Sequence, residues 1–399
     1  MGMENKIKNK IIALSGQPVT GKGTTVKSLI EKLKEKGYDD ENIHVISTGN
    51  EFRNYFNVIS EFVKNFDNNE MPEKVLQNAY LKNISENKEY RRILIDTITQ
   101  LKQNKVNINN LNIEQANNLK EFKGLRKIVD TLIDTNIEQK GKIINQEERP
   151  DEIWIIDSRL AFHNIPEAFS VRLTSTPDIA AKRLFNDKNR GQEDNNYISI
   201  IEAKEAREKR RIGEQERYKK RYDVDLENED NYDLIIDTSY ATIEDTSDTI
   251  LTCLDCYVKD KPFSQKWTSP KTLLPLQTGR DTGYGFMELA KEIQKNGYMP
   301  SEAIEIIEAG GRSYIIEGHH RNFCSAYIGK TLVPYKVIGK DDNKISWGNT
   351  ANYRANGLRR IYLWDHESIF EHNTDEKFSY DDIYPGIYEE LQKEEENQR

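Results

Sequence analysis

The chain has 399 residues, 31% of them charged, and a formal net charge of −9. That length predicts two or more domains, and the acidic balance argues against bulk electrostatic binding of nucleic acid, leaving at most a local basic groove. Three cysteines are too few for a disulfide framework, and no run of about 18 apolar residues offers a membrane span. The stretch Met1 to Lys10 is lysine-rich without an apolar signal core, so a soluble cytoplasmic protein is expected.

The first apolar run, Ile11–Leu14, is followed by Gly16-Gln17-Pro18-Val19-Thr20-Gly21-Lys22-Gly23-Thr24-Thr25. Then comes a helical pattern with Val26, Leu29, Ile30 and Leu33 on one face. Strand, glycine-rich loop and helix in this order predict a phosphate-binding loop for ATP. Glycines let backbone N–H groups turn inward around phosphate oxygens, and the helix adds its positive end. Gly16, Thr20, Gly21, Lys22, Gly23, Thr24 and Thr25 are the expected phosphate cradle. Lys22 would reach the β/γ-phosphates, and the Thr24 hydroxyl would ligate Mg²⁺.

Four more apolar runs read as buried parallel strands: His44–Ser47, Ile153–Ile156, Ser170–Leu173 and Leu234–Ile236. Alternation with helical segments predicts a doubly wound α/β sheet. Ser47-Thr48-Gly49-Asn50-Glu51-Phe52-Arg53 ends the second strand with a small polar turn. Asn50 and Arg53 there suit a monophosphate acceptor, because a guanidinium grips phosphate bidentately. A long polar stretch, about 55–149, is expected as a helical insertion over the nucleotide site. Its Leu94, Ile95, Ile98, Leu101 and Leu125, Ile128, Val129, Leu132, Ile133 have helical spacing, while the Asn-rich 104–118 interrupts it.

Asp157-Ser158-Arg159 leaves the third strand, where Asp157 could hold Mg²⁺ or cap a helix. Arg183, Arg190, Arg207, Arg210, Arg211 and Arg217 follow. Arg210, Glu214 and Arg217 share one helix face. Such arginines can close over transferring phosphates, although a salt-bridged surface helix has the same spacing. Cys253-Leu-Asp-Cys256 has redox or zinc spacing without a second Cys/His pair, and reads as two ordinary thiols.

Residues 259–270, with Lys259-Asp260-Lys261-Pro262 and Ser269-Pro270, read as a linker. A smaller α/β pattern follows over 271–345: a helix near Leu289 and Ile293, then strands Ala303–Ile307 and Ser313–Ile316. A helix Asn322–Ile328 and a strand Val333–Ile338 complete it. Its second strand runs into Glu317-Gly318-His319-His320-Arg321. Glu317 could ligate Mg²⁺ or act as a base, Gly318 permits a tight turn, His319 and His320 are phosphate donors near neutral pH, and Arg321 is a clamp. A capped turn with buried histidines is the alternative. Residues 346–399 are aromatic-rich and end in an acidic tail.

Gly16–Thr24, Ser47–Arg53, Asp157–Leu160, Arg210–Tyr218, Tyr222–Asp225 and Tyr232–Ser239 resemble the cytidylate kinases, especially the short archaeal-type ones, over about 1–58 and 125–252. The resemblance implies a P-loop nucleotide-kinase domain over 1–258, with Lys22 and the loop amides on ATP. It places Arg53 and Arg159 on the acceptor monophosphate, and Arg183, Arg210 and Arg217 in a mobile lid. Asp157-Ser158-Arg159 replaces the family's acidic-Gly-Arg turn, and the acceptor side carries an insertion, which leaves the acceptor open.

Leu274-Pro275-Leu276-Gln277-Thr278-Gly279-Arg280, Gly297 with Pro300, Tyr314–Arg321 and Gly329 with Val333-Pro334 resemble the ParB/sulfiredoxin superfamily over about 270–340. The last motif is most similar to the free-serine kinase branch. The resemblance implies nucleotide or phosphate binding, with Arg280, Gly318 and Arg321 on the ligand. Glu317 replaces that branch's Asp, and Gln277, which cannot act as a base, stands where its catalytic Glu is expected. The combined expectation is an ATP- and Mg²⁺-dependent kinase for CMP, dCMP or a related small phosphorylated acceptor, with a second site that is catalytic or regulatory. A kinase acting on a nucleic-acid base or end is the alternative; oligomeric state is left open.

Overall fold

The computed structural model describes residues 8–65, 78–104, 119–187, 197–275, 284–309 and 312–340. Arg190, Arg280 with 276–279, the interruption 105–118 and the aromatic, acidic extension 346–399 therefore lie outside the described residues.

The chain begins with β1 (Lys10–Gly16), α1 (Lys22–Glu35), β2 (Ile43–Ser47), α2 (Thr48–Asn65), α3 (Ala79–Ser85), α4 (Lys88–Gln103) and α5 (Phe122–Ile144). It continues with β3 (Ile153–Asp157), α6 (Ala161–Asn164), β4 (Phe169–Thr174), α7 (Pro177–Asn186), α8 (Ile200–Tyr222), β5 (Leu234–Asp237) and α9 (Ile243–Val258). Last come β6 (Lys266–Thr268), β7 (Leu273–Pro275), α10 (Tyr284–Asn296), β8 (Ile304–Ala309), β9 (Arg312–Glu317), α11 (His319–Tyr327) and β10 (Val333–Lys340). This is the expected α/β class, and most strand pairs are parallel.

Two compact units divide the chain: Met1–Lys22, Gly37–Ser170 and Pro177–Asn231 make the first, and Gly23–Lys36, Val171–Thr176 and Tyr232–Arg399 the second. In the first, β3 lies between β2 and β1, with Ile46↔Ile156 and Ala13↔Ile156 in register. Unbroken apolar runs suit strands covered on both faces. The segment read as an insertion supplies much of the same core. Tyr55, Phe56 and Ile59 of α2, Leu81 and Ile84 of α3, Leu94, Ile98 and Leu101 of α4, and Ile128 and Ile137 of α5 pack with Ile11, Ile46 and Ile156. Asn78 and Asn87 cap α3 and α4, their side chains accepting from backbone N–H groups at the next turn. Gly141 is required by close approach: a Cβ there would stand 2.7 Å from Ile165 Cγ1.

In the second unit the order is β4-β5-β6-β10-β8-β9-β7. β4 pairs parallel with β5 and β5 with β6. β10 runs antiparallel to β6 and parallel to β8, and β8 runs antiparallel to β9. Within 259–270, expected as a linker, Lys266–Thr268 is thus a ladder strand. Cys253 is buried, which pushes its thiol pKa up, and Cys256 is half-buried and also raised by burial. No group of three or more metal-ligating His, Cys, Asp or Glu forms among the described residues. No described helix is long and apolar enough to cross a membrane.

Ile98 is fully buried in the helical part of the first core. Ile98→Ala should cost about 2–5 kcal/mol, read as a lower urea midpoint at unchanged slope, because the helices around it share one core with the strands.

Candidate active site

The glycine-rich loop turns between β1 and α1 with two left-handed residues, Val19 at φ 62° and Gly21 at φ 87°. Gly21 adopts this freely, whereas a β-branched Val stores strain there, of order 1–3 kcal/mol. A Cβ added at Gly21 or Gly23 would meet nothing within 4 Å, so the side a phosphate must approach is open. Lys22 opens α1, and its Nζ donates to the carbonyls of Gly16 at 2.7 Å and Gln17 at 3.4 Å. Thr20 Oγ1 donates to the same Gln17 carbonyl at 2.9 Å. Thr24 is exposed and Thr25 buried.

Arginines from two later helices reach this loop. Arg183 of α7 donates to Val19 O at 3.4 Å. Arg207 of α8, only 5% exposed, donates from Nη2 to Gln17 Oε1 at 2.6 Å, and Gln17 Nε2 donates onward to Glu227 Oε1 at 2.9 Å. Burial lowers the Arg207 pKa. Gln17 and Glu227 were not singled out from the sequence, because their roles depend on partners about 190 to 210 positions away.

The expected acceptor-side residues gather at the carboxyl ends of β2 and β3. Ser47 Oγ donates to Asp157 Oδ2 at 3.1 Å, and Thr48 Oγ1 to Asp157 O at 3.2 Å. Arg53 donates to the Asn50 side chain. Arg159 forms an ion pair with Glu214, and Arg210 Nε reaches the same carboxylate at 3.2 Å. The Arg159 pKa is brought down to about 10, chiefly by burial and further by Arg210 and Arg217, with Tyr218 and Asp157 opposing. Arg217 lies 4.8 Å from the centroid of the Tyr218 ring. Burial opposes its charge, yet Tyr218, Asp130 and Tyr222 bring its pKa above the usual value. Arg126 of α5, which the sequence did not mark, has its pKa lowered by burial and by Arg217 and Arg210. Its only signal was an i, i+4, i+8 spacing with Asp130 and Asp134 along one helix. The arrangement is a half-buried knot of guanidiniums with few carboxylates, able to hold anionic phosphoryl groups.

Asp157 offers carboxylate oxygens, the donor class Mg²⁺ takes while keeping waters and phosphate oxygens in its shell.

In the second unit, the turn from β9 into α11 brings Glu317, Gly318, His319, His320 and Arg321 together. Gly318 caps the helix at φ 99°, and a Cβ would crowd the Ile304 backbone at 3.3 Å, so glycine is required. Glu317 points outward, its side chain 71% exposed. Arg321 Nη1 donates to Glu302 O at 2.9 Å, and its Nη2 lies 3.9 Å from Glu317. His319 turns inward at 6% exposure; burial, helped by His320, lowers its pKa to about 4. It is therefore neutral at pH 7, whereas the sequence suggested a ring poised to charge there.

Because the folded His319 pKa lies below the unfolded one, stability should be full above pH about 6.5. It should fall by about 3 kcal/mol as pH drops toward 4, where the unfolded chain takes up a proton that the folded chain refuses. Denaturant titrations of the wild type and His319→Gln across pH 4–7 check this, the variant losing that slope.

No family model matches the chain. It is 33% identical over 215 residues to an S-adenosylmethionine-dependent nucleotide dehydratase of Lacinutrix mariniflava, covering 52% of this chain but only 42% of that protein. It is 32% identical over 142 residues to a cytidylate kinase of Methanocella arvoryzae, covering 36% of this chain and 74% of the kinase. An uncharacterized protein from Eubacterium ventriosum, known as a crystal structure, superposes with TM-score 0.32 at 13% identity, over 62% of this chain and 99% of that one. With about three quarters of that kinase matched at 32% identity, the chain belongs to the cytidylate kinase family.

Proposed function

We propose that the chain transfers the γ-phosphoryl group of ATP to a nucleoside monophosphate of CMP or dCMP type. The observation that carries this reading is the pairing of Arg159 and Arg210 on the one carboxylate of Glu214, in the unit whose β1 leads into the glycine-rich loop. In the reaction an acceptor phosphate oxygen attacks the γ-phosphorus, the bond to the bridging β–γ oxygen breaks, and ADP leaves with that electron pair. Lys22 and the loop amides hold the donor phosphates. Arg53 and Arg159 orient the acceptor phosphate. Arg183, Arg210 and Arg217 counter the negative charge shared by entering and leaving oxygens. Mg²⁺, for which Asp157 would be a carboxylate ligand, would neutralise the β- and γ-oxygens.

A small nucleotide is favoured over a nucleic-acid end because both curated relatives carry nucleotide chemistry in their names. The Glu317–Arg321 turn is assigned as a second nucleotide- or phosphate-binding site, supported by its required Gly318 and the amides opening α11. Glu317 remains its candidate metal ligand and base, and His320 its nearer phosphate donor.

With purified protein, ATP and Mg²⁺, CMP and dCMP are expected to be phosphorylated ahead of the other monophosphates, free serine and short RNA. Lys22→Ala should lower turnover by at least about 100-fold while His320→Ala leaves it unchanged. Phosphorylation of none of the monophosphates would refute the reading.

A further inference from the structure

Gln17 of the glycine-rich loop faces two ways. Its backbone carbonyl accepts from Thr20 Oγ1 at 2.9 Å and from Lys22 Nζ at 3.4 Å, within the loop itself. Its side-chain amide leaves the loop, Oε1 accepting from Arg207 Nη2 at 2.6 Å and Nε2 donating to Glu227 Oε1 at 2.9 Å. Both partners belong to α8 or are fastened to it. Arg207 is a buried residue of that helix whose Nε has no hydrogen-bond partner among the described residues, so the Gln17 amide fixes its guanidinium. Glu227 follows α8 on a segment that returns to it: Leu226 N donates to Gln215 Oε1 at 3.3 Å, and Glu227 Oε1 lies 3.6 Å from Arg211 Nη1.

The chemistry at position 17 is narrow. A carboxamide accepts through one atom and donates through another, so it can stand between a guanidinium and a carboxylate and satisfy both. A carboxylate in its place would suit Arg207 and repel Glu227, and an ammonium would do the reverse. The same helix carries Arg210 one turn beyond Arg207, and Glu214, whose carboxylate meets Arg159 and Arg210.

We propose that Gln17 is a positioning residue, whose side chain sets α8, and with it Arg210 and Glu214, against the loop that carries Lys22. This rests on the kinase reading and adds to it a joint by which the donor loop places the acceptor-side helix.

Gln17→Met keeps the length and removes both polar atoms. Gln17→Glu keeps an acceptor for Arg207 but sets like charge against Glu227, and combining it with Glu227→Gln exchanges the two groups and restores both hydrogen bonds. With ATP, Mg²⁺ and CMP, each single variant should lower kcat by about tenfold or more with KM for ATP within about threefold, because the loop backbone is unchanged. The combined variant should regain most of that loss. Amide hydrogen exchange along 200–222, which needs no turnover, should speed about tenfold in the single variants and return toward the parent rate in the combined one. Parent-like kcat in Gln17→Met, a loss confined to KM for ATP, or a combined variant no better than Gln17→Glu alone would each overturn the assignment. If the parent phosphorylates no monophosphate, the kinase reading falls and hydrogen exchange decides alone: protection of α8 lost and regained keeps Gln17 as the joint, and unchanged protection removes it.

Discussion

A guanidinium keeps its charge at every physiological pH, so a fold that draws several of them out of water must supply counter-charge or leave a place for it. The first unit does both. Glu214 holds Arg159 and Arg210, Asp130 holds Arg221, and Asp134 accepts from Tyr222. These contacts fasten α8 to the end of β3 and to α5, and so fix where the remaining cations stand. Truncating one buried partner of such a set harms more than the pair itself is worth, because the other charge is stranded. The carboxylates are thus as much part of the site as the arginines they aim.

The glycine-rich loop is tied to α8 through the side chain of Gln17. Gln17 bridges Arg207 on α8 and Glu227 beyond it, so one amide reports the position of the loop to the helix that carries Arg210 and Arg217. Arg183 approaches the loop separately from α7. Donor and acceptor phosphates would therefore meet groups whose positions depend on one another.

Much of this was legible in the chain itself. All five apolar runs became strands, since uninterrupted Ile, Leu and Val suit a sheet buried on both faces. His44–Ser47, expected as buried, pairs only with β3 among the described residues and leaves Val45 exposed. Asp157 and Arg159 were readable because they stand at the end of an apolar strand run, and Lys22 because it closes the glycine-rich loop after one. The three-residue strands β6 and β7 were not, since so short a run shows no period, and their register is set by partners far along the chain. The spacing around Ile98 and Ile128 gave the helices but not their union with the strands in one core, which is a long-range packing outcome. His319 and His320 look alike in sequence. Only the left-handed turn at Gly318 decides that the first points inward.

One detail of the loop bears on discrimination. The Lys22 ammonium donates to the carbonyls of Gly16 and Gln17 of its own loop, in which Val19 is left-handed. An arriving ion must offer the amine more than two backbone dipoles do. Several phosphate oxygens acting at once can offer such an amine more than a single monovalent anion can. The cost of freeing this lysine is thus written into the loop's own backbone, and any ligand that recruits it must offset that cost.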